Sequence, residues 1–149
     1  MFLYMNELLV FLTIQGAMIF YACSEAYMER DTGWTQNEMW FRINFGNYNY
    51  TAYHIFVYWL AFPMAIILLP NLIIGFDMKM SLFLLVCYLI GTIVEDFTWF
   101  VVNPHYPLKK WNPHQTQWYP WLKIRWFYIP ATYVIKGGIA LFVFFRYYH

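Results

Sequence analysis

Residues 80–102 read MSLFLLVCYLIGTIVEDFTWFVV, an apolar run that stops at the pair Asn103-Pro104. A helix needs about 20 mostly apolar residues to cross the roughly 30 Å of hydrocarbon in a bilayer. The residue before a proline is disfavoured in the helical region, so we expect the helix to stop at the Asn-Pro pair. This run therefore predicts a transmembrane helix.

The overall composition also indicates a membrane protein. Hydrophobic residues make up 62% of the 149 residues, aromatic residues 25% and charged residues only 11%, whereas soluble domains are about 45–50% apolar and about 25% charged. So few charged side chains cannot cover a globular surface in water, and a net charge of +1 gives no field that would attract polyanions. The composition argues against a soluble monomer, a disordered chain and a nucleic-acid partner.

Three further apolar runs, at roughly 3–23, 50–74 and 125–146, have similar lengths. We interpret all four runs as helices, because a single chain with four long apolar runs cannot close a β-barrel. The sequence thus predicts an all-α, polytopic membrane protein. Its single domain, residues 1–149, would contain four transmembrane helices in a bundle.

The segments between the runs differ in composition. Residues 24–49 mix aromatic and charged side chains, which predicts an amphipathic helix that lies in the membrane interface. Residues 103–124 combine Trp and Tyr with lysines, the pattern of an aromatic belt at the lipid headgroups. The same segment repeats Asn-Pro-His at 103–105 and 112–114, which we interpret as two successive turns.

Positive charges suggest an orientation for the predicted spans. Six Lys and Arg residues lie in or beside the two long loops, and two lie near the short loop and the C-terminus. Cytoplasmic loops carry the excess of positive charge. We therefore expect loops 24–49 and 103–124 in the cytoplasm and both termini outside.

The helix at 80–102 carries one polar face, which contains Glu95. Glu95 lies about 12 Å from the helix end at 1.5 Å per residue, where an unpartnered charge costs at least about 2.5 kcal/mol. We therefore expect this face to line the bundle interior. Its members at helical spacing are Tyr88, Gly91, Thr92, Glu95, Thr98 and Trp99.

The other predicted helices each carry a polar stripe as well. His54 lies one turn into the second helix, Glu25 and Glu29 lie at the end of the first, and Lys136 lies near the middle of the fourth. Four polar stripes that face inward would form a cavity open to one side of the membrane. His105 and His114 lie on the loop that would cover this opening.

Two chemistries fit these residues. Glu95 can act as a general base with His54 as its relay, since both residue types serve as proton acceptors and donors in general acid–base catalysis. His54, Glu95, His105 and His114 can alternatively hold a divalent metal such as Zn or Fe, which take three or four nitrogen and oxygen ligands.

Simpler readings stand beside these hypotheses. Lys136 would form a structural ion pair with Asp96 or with Glu95, because a lone lysine inside a membrane needs a partner. Glu25 and Glu29 would form a solvated face of the first loop. The Trp and Tyr residues would be interface anchors rather than a cofactor site.

Three function classes follow from the sequence. The first is a small membrane enzyme that acts on a lipid or another apolar substrate in the polar pocket. The second is an accessory subunit whose apolar surfaces are covered by partner membrane subunits or by further copies of the chain. The third is a proton or ion channel or transporter with Glu95, Asp96 and Lys136 along its path. We favour the enzyme, because the ionisable groups converge on one side of the membrane.

Overall fold

The computed structural model describes residues 6–31, 40–45 and 48–147 of the chain. Within these residues the fold is mostly helical, with four long helices and two short antiparallel hairpins. The elements in chain order are α1 (Glu7–Glu29), β1 (Arg42–Phe45), β2 (Tyr48–Thr51), α2 (Ala52–Ile74), α3 (Met78–Val102), β3 (Trp121–Ile124), β4 (Phe127–Pro130) and α4 (Ala131–Tyr147).

Three of these helices, α1, α2 and α3, are long and apolar enough to cross a membrane. The helix predicted at 80–102 is confirmed as α3. The backbone leaves the helical conformation at Asn103, as expected for the residue before a proline. The side chain of Asn6 caps the start of α1, and the side chain of Asp77 caps the start of α3. Each cap accepts a backbone N–H that the first helical turn leaves without a partner.

The second helix, α2, is wider than a regular α-helix over most of its length. Residues Ile55–Ala61 and Met64–Leu68 adopt the π-helical pattern, in which a backbone N–H bonds to the carbonyl five residues earlier. Pro63 lies between these two segments. A proline inside a helix lacks an N–H and its ring crowds the carbonyl four residues earlier, so the wider turns accommodate it.

Helix α3 is central to the packing. It lies along α1 on one side and against α4 on another, while α2 contacts it through the segment Met64–Leu68. Gly91 of α3 allows α1 to approach closely, because a Cβ at this position would lie 3.0 Å from Cγ of Met18. The cavity described below forms where these helices meet the loop after α3.

The predicted interfacial helix over 24–49 is wrong for the residues that the structure describes there. Helix α1 continues to Glu29, and β1 and β2 form a hairpin in which Arg42 pairs with Thr51. Residues 32–39, also part of that prediction, lie outside the described residues.

The predicted fourth span over 125–146 begins too early. Residues up to Pro130 form the hairpin of β3 and β4, with Arg125 in its turn at a φ of 53°. Helix α4 begins at Ala131 and has 17 residues, a length of about 25 Å at 1.5 Å per residue.

The loop after α3 is ordered by the two Asn-Pro-His repeats. The Asn103 side-chain oxygen accepts from the backbone N–H of His105 and Tyr106, and Asn112 repeats this pattern with the two residues at 114 and 115. Both repeats are turns, as predicted. Aromatic side chains fill the space under this loop; the buried members of the cluster are Trp99, Phe100, Tyr106 and Tyr119, packed on Ala22 and Ala26 of α1.

Candidate functional site

A cavity of about 240 Å³ lies where one end of the helix bundle meets the loop after α3. The loop after α3, strand β2 and all four helices contribute to its wall. The helices contribute the last turn of α1, the part of α3 from Tyr88 to Phe100, and the first turns of α2 and α4. Nine of its 17 lining residues are aromatic, four are acidic and two, His54 and Lys136, are basic. The cavity therefore combines apolar rings with an excess of negative charge.

The structure places several predicted site residues in this wall. His54 and Glu95 both line the cavity, as do Asp96 and Lys136. His105 and His114 lie on the exposed side of the loop and are not among the lining residues. The catalytic and metal-binding roles given to these residues stay predictions.

Glu25 of α1 is buried in a group of tyrosines. The hydroxyl of Tyr53 donates to one Glu25 carboxylate oxygen, and the hydroxyl of Tyr58 lies 3.0 Å from both oxygens. Tyr21 contributes a further hydroxyl, which hydrogen-bonds to that of Tyr53. Because the Tyr53 hydrogen is directed to Glu25, the Tyr21 hydroxyl is the donor in this second bond. The interpretation of Glu25 as part of a solvated face is therefore wrong.

Glu25 of α1 and Glu95 of α3 both line the cavity, and they are only 6% and 3% exposed. Two ionised carboxylates in one buried site repel each other, so a state in which one of them is neutral is favoured.

Asp96 is held by a second pair of tyrosines. The Tyr119 hydroxyl donates to one carboxylate oxygen at 2.5 Å, and the Tyr133 hydroxyl donates to the other. Lys136, one turn after Tyr133, lies within electrostatic range of Asp96 and Glu95. The direct hydrogen-bond partners of Asp96 are thus tyrosines of the loop and of α4, and its predicted ion pair with Lys136 stays a prediction.

His54 is oriented by its neighbours at the start of α2. Its Nδ1 lies 2.9 Å from Oγ1 of Thr51, and its ring stacks on that of Tyr58 at a centroid distance of 6.2 Å. Tyr50 of β2 closes the same side of the cavity, and burial raises the pKa of its hydroxyl above the usual value. His54 is therefore linked through Tyr58 to the Glu25 cluster.

No group of three or more His, Cys, Asp or Glu side chains in the described part of the chain is arranged to hold a metal ion. Two of the four predicted ligands, His105 and His114, are exposed and are not among the residues that line the cavity with His54 and Glu95. The carboxylates of Glu25 and Asp96 are engaged by tyrosine hydroxyls.

Two buried indole groups beside the cavity have no hydrogen-bond acceptor among the described residues. Trp99 of α3 and Trp118 of the loop both line the cavity, and their Nε1 atoms are buried without a partner. Buried polar groups nearly always have a partner, so each such group calls for an explanation.

The sequence analysis did not identify Tyr53, Tyr119 and Tyr133 as partners of the acidic residues. Glu25 was placed on an inward-facing stripe of the first helix, and it is buried together with Gln15, Met18 and Ala22 of that stripe. No local pattern indicates which tyrosine hydroxyls meet a carboxylate, since these pairs are 23 to 37 residues apart in sequence.

Comparisons with protein-family models, with curated proteins and with solved structures found no match to this chain. The residues around the cavity are therefore the basis for any assignment of function.

Proposed function

We propose that this chain is a small integral membrane enzyme that binds the polar part of a lipid-like substrate in the cavity. Glu95 would transfer a proton to or from the substrate, with Glu25 as its partner. The observation that carries this proposal is that Glu25 and Glu95 are both buried and line the same cavity. Paired carboxyl groups that share one proton supply an acid and a base at the same position.

The membrane part of the proposal rests on the three spanning-length helices and on the apolar exterior. Large apolar side chains such as Phe20, Leu72 and Phe142 are well exposed. Bilayer lipid would cover these surfaces. In the proposed arrangement α4 is the fourth span and the long loops face the cytoplasm, so the cavity opens at the cytoplasmic headgroup level.

The supporting residues have distinct roles in this proposal. Tyr53 and Tyr58 hold Glu25 as an acceptor, so that the mobile proton resides on Glu95. His54, stacked on Tyr58, lies where it can relay a proton toward the cavity mouth. Asp96 and Lys136 would set the local charge near Glu95. None of these roles requires a metal, and stoichiometric Zn or Fe in purified protein would support the metal hypothesis instead.

The channel alternative is less well supported by the cavity. Its lining residues in α3 begin at Tyr88 and those in α2 end at Trp59. Toward the other end of the bundle, α1 and α3 pack closely through Met18, Leu84 and Cys87, which are all buried. Conduction would need a polar path through this region. An accessory subunit, the remaining alternative, would have no need for a paired-carboxyl cavity.

The test is a lipid-conversion assay with a matched control. Purified wild-type protein in bilayer nanodiscs is incubated with a mixed lipid extract, and products are identified by mass spectrometry. We expect a product with the wild type, its loss in Glu95→Gln, and full retention in Glu7→Gln, which changes an exposed glutamate outside the cavity. Equal conversion by wild type and Glu95→Gln would contradict the proposal, and co-purification of stoichiometric membrane partners without conversion would favour the accessory subunit.

A further inference from the structure

We propose that the β3–β4 hairpin lies against the bilayer surface and binds anionic lipids there. Its apolar face enters the interface between headgroups and acyl chains, and Lys123 and Arg125 contact lipid phosphate groups. The inference goes beyond the proposed function, because no residue of the hairpin lines the cavity.

The two faces of this hairpin differ in composition. Cross-strand partners in an antiparallel pair lie on the same face, and side chains two residues apart on a strand share that face. The register therefore places only large apolar side chains on one face, namely Leu122, Ile124, Phe127 and Ile129. The other face is mixed and carries Trp121, Lys123, Tyr128 and Pro130.

The mixed face is the one that contacts the rest of the protein. Trp121 packs against the aromatic cluster under the loop, and its indole donates to the backbone carbonyl of Thr116 at 2.7 Å. Pro130, the cross-strand partner of Trp121, is buried. The apolar face is therefore directed away from the protein, and three of its four members are 41–42% exposed.

The charge around the hairpin is of one sign. The chain contains no Asp or Glu after Asp96, and the hairpin carries Lys123 and Arg125. The Lys123 ammonium lies 5.9 Å from the ring centre of Tyr128 on the mixed face. Each Lys or Arg near a bilayer surface adds to the attraction of anionic lipids. The charge of this element therefore matches a membrane surface that contains anionic lipids.

The tip of the hairpin presents a cation beside an indole. Arg125 has a φ of 53°, a left-handed value that strains a residue with a Cβ and suits glycine better. The next residue, Trp126, is 85% exposed. Tryptophan is enriched at membrane interfaces, and basic side chains interact there with anionic headgroups. The tip thus combines the two side-chain types that anchor a protein at the headgroup level.

The backbone of the hairpin fits the membrane surface rather than the hydrocarbon core. A two-stranded sheet has two open edges, whose backbone N–H and C=O groups need water or headgroups as partners. Helix α4 begins at Ala131, directly after the hairpin. With α4 as the fourth span of the proposed arrangement, the hairpin lies where that span reaches the headgroups.

The first experiment measures which face of the hairpin contacts lipid. The full chain is placed in nanodiscs of phosphatidylcholine with phosphatidylglycerol as the minor lipid. In a Cys23→Ala background, a bimane label is attached to Ile124→Cys on the apolar face or to Tyr128→Cys on the mixed face. These positions are 42% and 36% exposed, so both labels would meet water similarly if the hairpin stood clear of the bilayer.

We expect bromine on the acyl chains near the glycerol to quench the Ile124→Cys label at least about twofold more strongly than the Tyr128→Cys label. Iodide in the water should show the opposite order. Phe127→Cys, on the same face as Ile124, is a second label position if Ile124→Cys does not fold. The Cys23→Ala protein, in which Cys87 is buried, is the unlabelled control.

The second measurement identifies the lipid. Bromine is carried by either phosphatidylglycerol or phosphatidylcholine at the same mole fraction, and the ratio of the two quenching efficiencies at Ile124→Cys reports local enrichment. We expect a ratio of about two or more, which falls to about one when Lys123→Gln and Arg125→Gly are combined. Lys79→Gln removes an exposed charge at the start of α3 and should leave the ratio unchanged. Arg125→Gly should not lower the unfolding temperature, because glycine adopts a positive φ readily.

Three outcomes would overturn the inference. The first is equal quenching of the two labels by lipid-borne bromine. The second is shielding of the Ile124→Cys label from both bromine and iodide, which would indicate a protein occupant such as a second copy of the chain. The third is an enrichment ratio that does not change when both charges are removed. None of these results depends on lipid conversion by Glu95, so the proposed function is tested separately.

Discussion

The hydroxyl of Tyr88 in α3 donates a hydrogen bond to the backbone carbonyl of Tyr58 in α2. This carbonyl has no donor within its own helix. The N–H of Phe62, four residues on, bonds to Val57, and the residue five positions on is Pro63, which has no N–H. Tyr88 therefore satisfies the carbonyl that the proline leaves open and ties α2 to α3 beside the cavity.

Removing this hydroxyl should destabilise the protein. We expect Tyr88→Phe to lower the free energy of unfolding by about 1–3 kcal/mol, because it leaves a part-buried carbonyl without a donor. Tyr27→Phe, at a tyrosine that is 83% exposed, is the matched control and should have no measurable effect. Thermal unfolding followed by circular dichroism in one detergent measures all variants.

A second substitution tests the cause of the effect. Pro63→Ala restores a backbone N–H in α2, so Tyr88→Phe should cost less in the Pro63→Ala background than in the wild type. The coupling follows from a double-mutant cycle of the four proteins. Equal costs in both backgrounds would show that Pro63 is not the reason for the open carbonyl.

Asn103 and Asn112 offer a comparison of two identical turns in different surroundings. Asn103 is buried, and its side-chain amide donates to the backbone carbonyl of Arg30 at 2.6 Å, which fixes the end of α1 to the loop after α3. The amide of Asn112 bonds only within the loop, to Lys109 and Gln115.

We expect Asn103→Asp to destabilise the fold by about 1–3 kcal/mol, because a carboxylate oxygen would replace the amide donor that faces the Arg30 carbonyl. Asn112→Asp preserves its turn and should stay within about 0.5 kcal/mol of the wild type. Similar unfolding temperatures for the two variants would contradict the anchoring role of Asn103.

Part of this fold was predictable from sequence and part was not. The bounds of α3 follow from a long apolar run and an Asn-Pro stop, both of which are local signals. The run at 125–146 was misassigned at its start because WFYIP is as apolar as the helix that follows. A short apolar run does not distinguish strand from helix, and here Arg125 turns the chain into a hairpin.

The residues of the candidate site were likewise predictable in part. His54 and Glu95 were identified from helical spacing, because an ionisable group within an apolar helix is costly unless it faces the interior. Of the two interpretations of Glu25, the inward-facing stripe agrees with its burial, and the solvated face is wrong because α1 continues to Glu29. The tyrosines around Glu25 and Asp96 come from other elements, and their contacts depend on packing that local sequence does not encode.

The proposed topology predicts opposite labelling of two loops. The experiment uses a Cys23→Ala background, which removes the exposed native thiol. Two variants then each introduce one exposed cysteine: Lys79→Cys in the first turn of α3, and Gln117→Cys in the long loop. In intact cells an impermeant maleimide should label Lys79→Cys, and it should label Gln117→Cys only after permeabilisation. Labelling of both from the same side would contradict the proposed four-span arrangement.

We propose that Glu95 shares a proton with Glu25 inside the cavity. Infrared difference spectroscopy of the protein in nanodiscs at neutral pH measures this directly, because a protonated carboxyl group has a C=O band distinct from that of a carboxylate. We expect this band in the wild type and in the Glu7→Gln control, and its loss in Glu95→Gln. A wild-type spectrum without it, or a band that persists unchanged in Glu95→Gln, would contradict the shared proton.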